Sequence, residues 1–253
     1  MSRGALALDS VHFGFGRGDR ATLDGVTLQV PAGTVLVVRG RNGSGKSTLL
    51  RLAAGILHPV SGAVQRPRLV GYQPQVAGDP PPRTSAGSWL TTISRMRAHA
   101  SGAAGVGLLE QLGVQPDLPL AACSRGTLAK VLIAAALAGP PELVVLDEPF
   151  ATLDDAARHA AAALVRRAAD DGAAVLLADH GEHLDVLAAR IVELRGGRLT
   201  EWAAPRGPAA WRLVTVGPDG DERVQVVAEA DRDRTLLDVL QAGGEVRRVE
   251  RWP

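Results

Sequence analysis

The sequence predicts an α/β fold: a mainly parallel sheet flanked by helices, with an antiparallel β flap, a helical insertion and a small C-terminal α+β module. Three observations carry this expectation. Apolar runs such as Thr34–Arg39 (TVLVVR), Leu143–Leu146 (LVVL) and Ala173–Ala178 (AAVLLA) are short and unbroken, as strands buried on both faces are. Apolar residues between them recur at helical spacing, as in Leu128, Val131, Leu132 and Ala135. A glycine-rich segment, Gly40–Thr48 (GRNGSGKST), joins the first of these strands to a helix.

That segment is the organising element. It fits the pattern G-x-x-x-x-G-K-[ST], with a strand before it and Leu49, Leu52, Ala53, Ile56 and Leu57 after it at helical spacing until Pro59. Glycines at 43 and 45 let the N–H groups of a tight loop, Asn42 to Thr48, close around phosphate oxygens at a helix N-terminus. Lys46 is placed to reach the β- and γ-phosphates of a nucleotide, and Ser47 to ligate Mg²⁺. A chance glycine-rich turn is the bland alternative, and the flanks argue against it. The chain has 28 lysines and arginines, yet lysine occurs only at 46 and 130. At 46 a compact ammonium fits between phosphates where a planar guanidinium does not.

Bulk properties bound the rest. A net charge of +1 gives no nucleic-acid footprint. Cys123 is the single cysteine, so no intramolecular disulfide forms. The N-terminal MSRGALALDS lacks the apolar core of a signal peptide, and no run approaches the roughly 18–20 apolar residues that span a bilayer. The expectation is a soluble chain that meets a membrane only through another protein.

In chain order, Ala5–Leu8, Val11–Phe15 and Val26–Val30 read as strands of the flap. Phe15, in a chain only 3% aromatic, either packs in the core or stacks on a nucleotide base. Leu69–Tyr72 is a strand followed by Gln73-Pro74-Gln75. Thr84 is the expected N-cap of a helix carrying Trp89, Leu90 and Ile93, Ser101–Gly107 reads as a loop, and Leu108, Leu109 and Leu112 mark a further helix. Residues 76–122 thus form the insertion. Leu143–Leu146 runs into Asp147-Glu148, two carboxylates at the end of a buried strand, suited to Mg²⁺ binding and water activation. Asp179, His180, Glu182 and His183 match no zinc spacing. Gly196-Gly197 signals a hairpin between Arg190–Leu194 and Arg198–Trp202, which closes a domain spanning 1–202. Residues 203–253 read as a β-β-α-β module with no catalytic constellation, its helix over Thr235–Gln241.

With these pieces in order, residues 5–200 resemble an ATP-binding cassette (ABC) ATPase, the P-loop NTPase subunit that powers ABC transporters. The resemblance rests on Gly40–Thr48, Gln75, Ser124-Arg125-Gly126-Thr127, Leu143–Pro149 (LVVLDEP), Ala151-Thr152-Leu153-Asp154 and His180. It implies ATP and Mg²⁺ as cofactors and Phe15 stacked on adenine. Asn42 to Thr48 would hold phosphates, Ser47, Gln75 and Asp147 the metal. Glu148 would be the general base, with Gln75 positioning water and His180 contacting the γ-phosphate. It also implies a dimer, with itself or with another ABC ATPase, in which Ser124 and Gly126 of one chain complete the other's site. Two departures stand out: the usual Leu-Ser-Gly-Gly-Gln reads Cys123-Ser124-Arg125-Gly126-Thr127, and Phe150 replaces a threonine.

The resulting expectation is a cytoplasmic ATPase, peripheral at the inner face of the cell membrane, acting with separate transmembrane permease subunits. The divergent signature and the C-terminal module favour export. Rival readings are a non-transport cassette acting on ribosomes or nucleic acid, and a binding-only regulatory cassette. The single cassette, the near-neutral charge and the presence of Glu148 weigh against them.

Overall fold

Two short β-strands with one covered face open the first of two compact units, Met1–Glu201 and Trp202–Pro253. The computed structural model describes residues 6–16, 21–75, 84–98, 103–179, 187, 189–201, 210–218 and 220–252. β1 (Leu6–Phe13) and β2 (Leu23–Val30) pair antiparallel. β1 is one strand where two were expected, because irregular register around Ser10, at φ 49°, carries the chain through the break in its apolar pattern. β3 (Val35–Arg39) is buried almost throughout and leads through the glycine-rich loop into α1 (Lys46–Ala54).

β4 (Ser61–Gln65) completes the flap in the order β2-β1-β4. Its sequence, SGAVQ, has one sizeable apolar residue and gave no strand signal. β5 (Val70–Gln73) is followed by α2 (Ala86–Ala98) and α3 (Ala103–Gln111). Ser85 rather than Thr84 caps α2, its hydroxyl accepting from the Ser88 N–H at 3.3 Å. α3 takes in Ala103 to Gly107, which was expected to be loop, and a Cβ on Gly105 would lie 2.7 Å from the Ser94 hydroxyl. The small residues there serve close α2–α3 packing rather than a turn.

α4 (Arg125–Leu137), β6 (Leu143–Asp147), α5 (Asp155–Asp170), β7 (Ala174–Ala178), β8 (Arg190–Arg195) and β9 (Arg198–Glu201) complete the first unit. The main sheet has the order β5-β6-β7-β3-β8-β9, parallel except for the β8–β9 hairpin. Alternate side chains feed two cores, as the period of a strand demands. Val35, Val37, Val144, Leu146, Val175 and Leu177 face α4, α5 and the insertion. Leu36, Val38, Leu143, Val145 and Leu176 face α1 and the flap. With β7 alone between β3 and β6, the glycine-rich loop and the Asp147-Glu148 pair both emerge at the carboxyl edge of the sheet, where α/β folds place ligands, and Lys46 reaches across to Glu148.

The second unit is a three-stranded antiparallel sheet, β10 (Ala210–Val216), β11 (Glu222–Ala228) and β12 (Glu245–Trp252), in the order β11-β10-β12. α6 (Glu229–Gln241) packs against all three strands. It starts at Glu229 rather than Thr235, since its first turns are charged and show no apolar period. The Arg232 guanidinium lies 4.7 Å from the centre of the Trp211 ring, and Arg212 pairs with Glu250 at 2.9 Å. Among the described residues no helix is long and apolar enough to cross a membrane.

Gly71 shows how closely the main sheet is covered. A Cβ there would overlap the Ala136 carbonyl of α4. Gly71→Ala is expected to cost about 2–3 kcal/mol in urea unfolding, as overpacking does. Unchanged stability would mean that β5 and α4 are farther apart in solution.

Candidate nucleotide-binding site

The glycine-rich loop is shaped by contacts that exclude side chains. A Cβ on Gly40 would lie 2.5 Å from the Leu194 carbonyl, and Gly45, at φ 102°, sits against the Thr22 backbone and the Leu23 side chain. Gly45 is also the N-cap of α1 and offers no side chain to the first N–H groups of the helix, whose first turn carries no acid. That helix end is left to attract an anion.

Lys46 is only 5% exposed. Its Nζ donates to the Gly40 carbonyl at 2.8 Å and more weakly to that of Arg41 at 3.4 Å, and it lies 3.9 Å from Glu148 Oε1. The Gln75 amide donates to Glu148 Oε2 at 2.7 Å. Glu148 occupies a left-handed conformation, φ 50°, with its N–H bonded to the Ala178 carbonyl at 3.0 Å. A non-glycine residue there costs on the order of 1–3 kcal/mol, and such positions cluster at functional sites.

Asp147, at the end of β6, is wholly buried. Burial pushes its carboxyl pKa up; the nearby Ser47 hydroxyl opposes this, Glu148 adds to it, and Arg51 and Lys46 oppose it. Among the described residues neither of its oxygens completes a well-aligned hydrogen bond. A buried carboxylate beside a serine hydroxyl, with unspent acceptors, suits a hard divalent cation.

Lys46, Ser47, Gln75 and Glu148 share one cavity of about 470 Å³, lined also by Phe15, Thr22, Asn42, Gly43, Gly45 and Thr48. Phe15 is 67% exposed and stands edge-on to Phe13, ring centres 5.0 Å apart. Phe15 is therefore not core, whereas Phe13 is buried, and Phe15 lines the cavity. Ser44, Asp147, Ser124 and Gly126 do not line this cavity. Ser44 lines the outer side of the loop.

Ser124 instead caps α4, accepting from the Thr127 N–H at 3.1 Å. A Cβ on Gly126 would meet the Thr152 carbonyl at 3.0 Å, whereas Arg125 is exposed. Gly126 thus has a steric reason to lack a side chain that exposed Arg125 does not. Asp154 caps α5 through the Ala157 N–H at 2.8 Å, and Phe150 is core. His180 lies outside the described residues.

Sequence reading overlooked two residues. Thr22 closes the loop side of the cavity. Gln73, only 3% exposed, bonds the Pro74 carbonyl at 2.7 Å and reaches the Asp147 carbonyl at 3.4 Å, tying β5 to β6 just behind the carboxylates. A buried amide ending an apolar strand was the available signal.

With this geometry in place, similarity to known proteins decides the family. Residues 23–151 match the family described as ABC transporter. The chain belongs to the ABC transporter ATPases. A zinc import ATP-binding protein ZnuC of Pseudomonas putida is 35% identical over 191 residues, 73% of this chain and 72% of that protein. An aliphatic sulfonates import ATP-binding protein SsuB of Mycobacterium avium is 37% identical over 199 residues, 72% and 75% of the two. The solved dimeric structure of MJ0796, a bacterial ABC transporter cassette, superposes with a TM-score of 0.70 at 21% identity, covering 80% of this chain and 99% of that one. The ABC ATPase fold and ATP binding are thereby shown for this chain.

The buried, under-bonded Asp147 predicts a trade-off of stability for function. Asp147→Asn removes a poorly solvated charge, so the nucleotide-free protein is expected to gain about 1 kcal/mol, roughly 2–4 °C in thermal midpoint at neutral pH. Thermal unfolding with ATP, with and without Mg²⁺, is expected to show less stabilisation added by the metal in this variant than in the wild type. A lower midpoint without nucleotide would show that Asp147 is well satisfied in the native state.

Proposed function

We propose that this ATPase powers a solute importer, sitting peripherally on the cytoplasmic face of a membrane against separate permease subunits. The convergence of Lys46, Gln75 and Glu148 on one cavity supports the chemistry. Import, rather than the export that the signature and the C-terminal module favoured, follows from the relatives: both are named as import proteins. Those names differ in solute, and solute choice belongs to the permease.

In this reading adenine stacks on Phe15, and the loop from Asn42 to Thr48 wraps the phosphates. Lys46 exchanges the Gly40 carbonyl for β- and γ-phosphate oxygens. Ser47 and Gln75 would hold Mg²⁺ with Asp147 behind them, and when bound the ion neutralises charge on those phosphates. Glu148 then accepts a proton from the water attacking the γ-phosphorus, and ADP leaves. His180 is assigned to the γ-phosphate.

Gln75 donates to Glu148, and that bond orients the proposed base within the cavity. Ser124 and Gly126 do not line the cavity, and a second cassette, identical or related, would bring its own copies of them to complete it. The dimeric assembly of the MJ0796 cassette supports that arrangement.

Glu148→Gln, expressed with its permease, is the test. The variant is expected to bind ATP, co-purify with an integral membrane protein, accumulate as an ATP-bound dimer on gel filtration and lose uptake and turnover together. Normal turnover would remove Glu148 as the base. Co-purification with ribosomes in place of a membrane protein would overturn the transport reading.

A further inference from the structure

A half-buried cation of the insertion bonds the end of the signature helix. Arg97, in the last turn of α2, is half-buried, and its Nη1 donates to three carbonyls at the end of α4: Ala135 at 2.7 Å, Ala138 at 3.0 Å and Ala136 at 3.2 Å. The last carbonyls of a helix have no partner within it, and together they carry its partial negative charge. Among the described residues the guanidinium meets these carbonyls and no carboxylate. An arginine desolvated this way loses hydration that only a helix end aimed at it can replace.

The surroundings are cut to fit. Gly139, at φ 69°, follows the end of α4, and a Cβ there would sit 3.0 Å from the Arg97 Cβ. On the other side the Ala136 carbonyl abuts Gly71 of β5, the strand that leads to Gln73 and Gln75. The C-terminal end of α4 is thus gripped by α2 and by β5 together.

The N-terminal end of α4 is capped by Ser124. With 13 residues the helix is about 20 Å long, so a tilt of about 3° at the gripped end moves Ser124 by about 1 Å. Misplacement of that size is enough to slow a reaction substantially.

We infer that Arg97 is a positioning residue: it clasps α4 to the insertion and so fixes where Ser124 meets the nucleotide of the opposing cassette. This rests on the cross-chain role of Ser124 in the proposed function. It adds a specific lever, since whatever displaces α2 displaces the signature through Arg97. Arg97 does not line the nucleotide cavity.

A double-mutant cycle on the full chain tests it, with ATP turnover measured against ATP and protein concentration. Arg97→Met keeps the apolar stem and deletes the donors. It is expected to lower kcat about tenfold and leave the KM for ATP within about twofold. Arg97→Lys, with one donor group restored, is expected to recover part of the loss. In a Ser124→Ala background, itself slow, the Arg97→Met effect should disappear, because the two act through one contact. Wild-type kcat in Arg97→Met, or an equal further loss in the Ser124→Ala background, would overturn the inference. If Arg97→Met does not fold, the same cycle run with Arg97→Lys decides, with the same two overturning results. Wild-type turnover in Ser124→Ala alone would instead overturn the cross-chain reading, and the inference with it.

Discussion

The site depends on one steric constraint: the turn between β3 and α1 has no room for a Cβ at Gly40 or Gly45. That closeness brings the loop's own carbonyls within reach of Lys46 and leaves the α1 N–H groups uncapped. A buried ammonium is tolerable there because carbonyl oxygens replace its water and Glu148 stands nearby. The loop is thus closed around the Lys46 ammonium. In the proposed function phosphate oxygens would take the place of these carbonyls at Lys46. Preorganisation of this kind is where phosphoryl-transfer enzymes gain most of their rate.

The carboxylates opposite are the complementary half. Asp147 is buried with its acceptors unspent, and Glu148 is held in a left-handed turn by the Ala178 carbonyl. Both arrangements cost stability in the empty protein, and both are offset by the two apolar cores that clamp β6 from either side. Fold stability and site chemistry are coupled through this single strand end. Gln73, tying β5 to the Asp147 carbonyl, keeps that end in register with the strand that delivers Gln75.

Much of this was legible in the sequence because each feature has a local cause. The buried strands β3, β6 and β7 are unbroken apolar runs, and the loop between β3 and α1 carries its own glycine spacing. What was missed has a distant cause. β4 is a strand because β1 offers it an edge, not because SGAVQ favours one. The start of α3 is helical because Gly105 lets it lie close on Ser94. Phe15 could not be told from Phe13 by residue type, since β1 ends at Phe13 and Phe15 falls in the bend beyond it. Arg97 gave no signal either: its partners are carbonyls about forty residues away, and backbone atoms leave no trace in residue identity.

The central claim is that Lys46 in its closed loop is the principal phosphate-binding cation. Equilibrium binding of Mg·ATP to Lys46→Ala tests it most directly, with thermal unfolding run in parallel to confirm a folded protein. The account predicts an unchanged fold and affinity weakened at least about a hundredfold, about 2.7 kcal/mol. A folded Lys46→Ala protein that binds ATP as tightly as the wild type would contradict it.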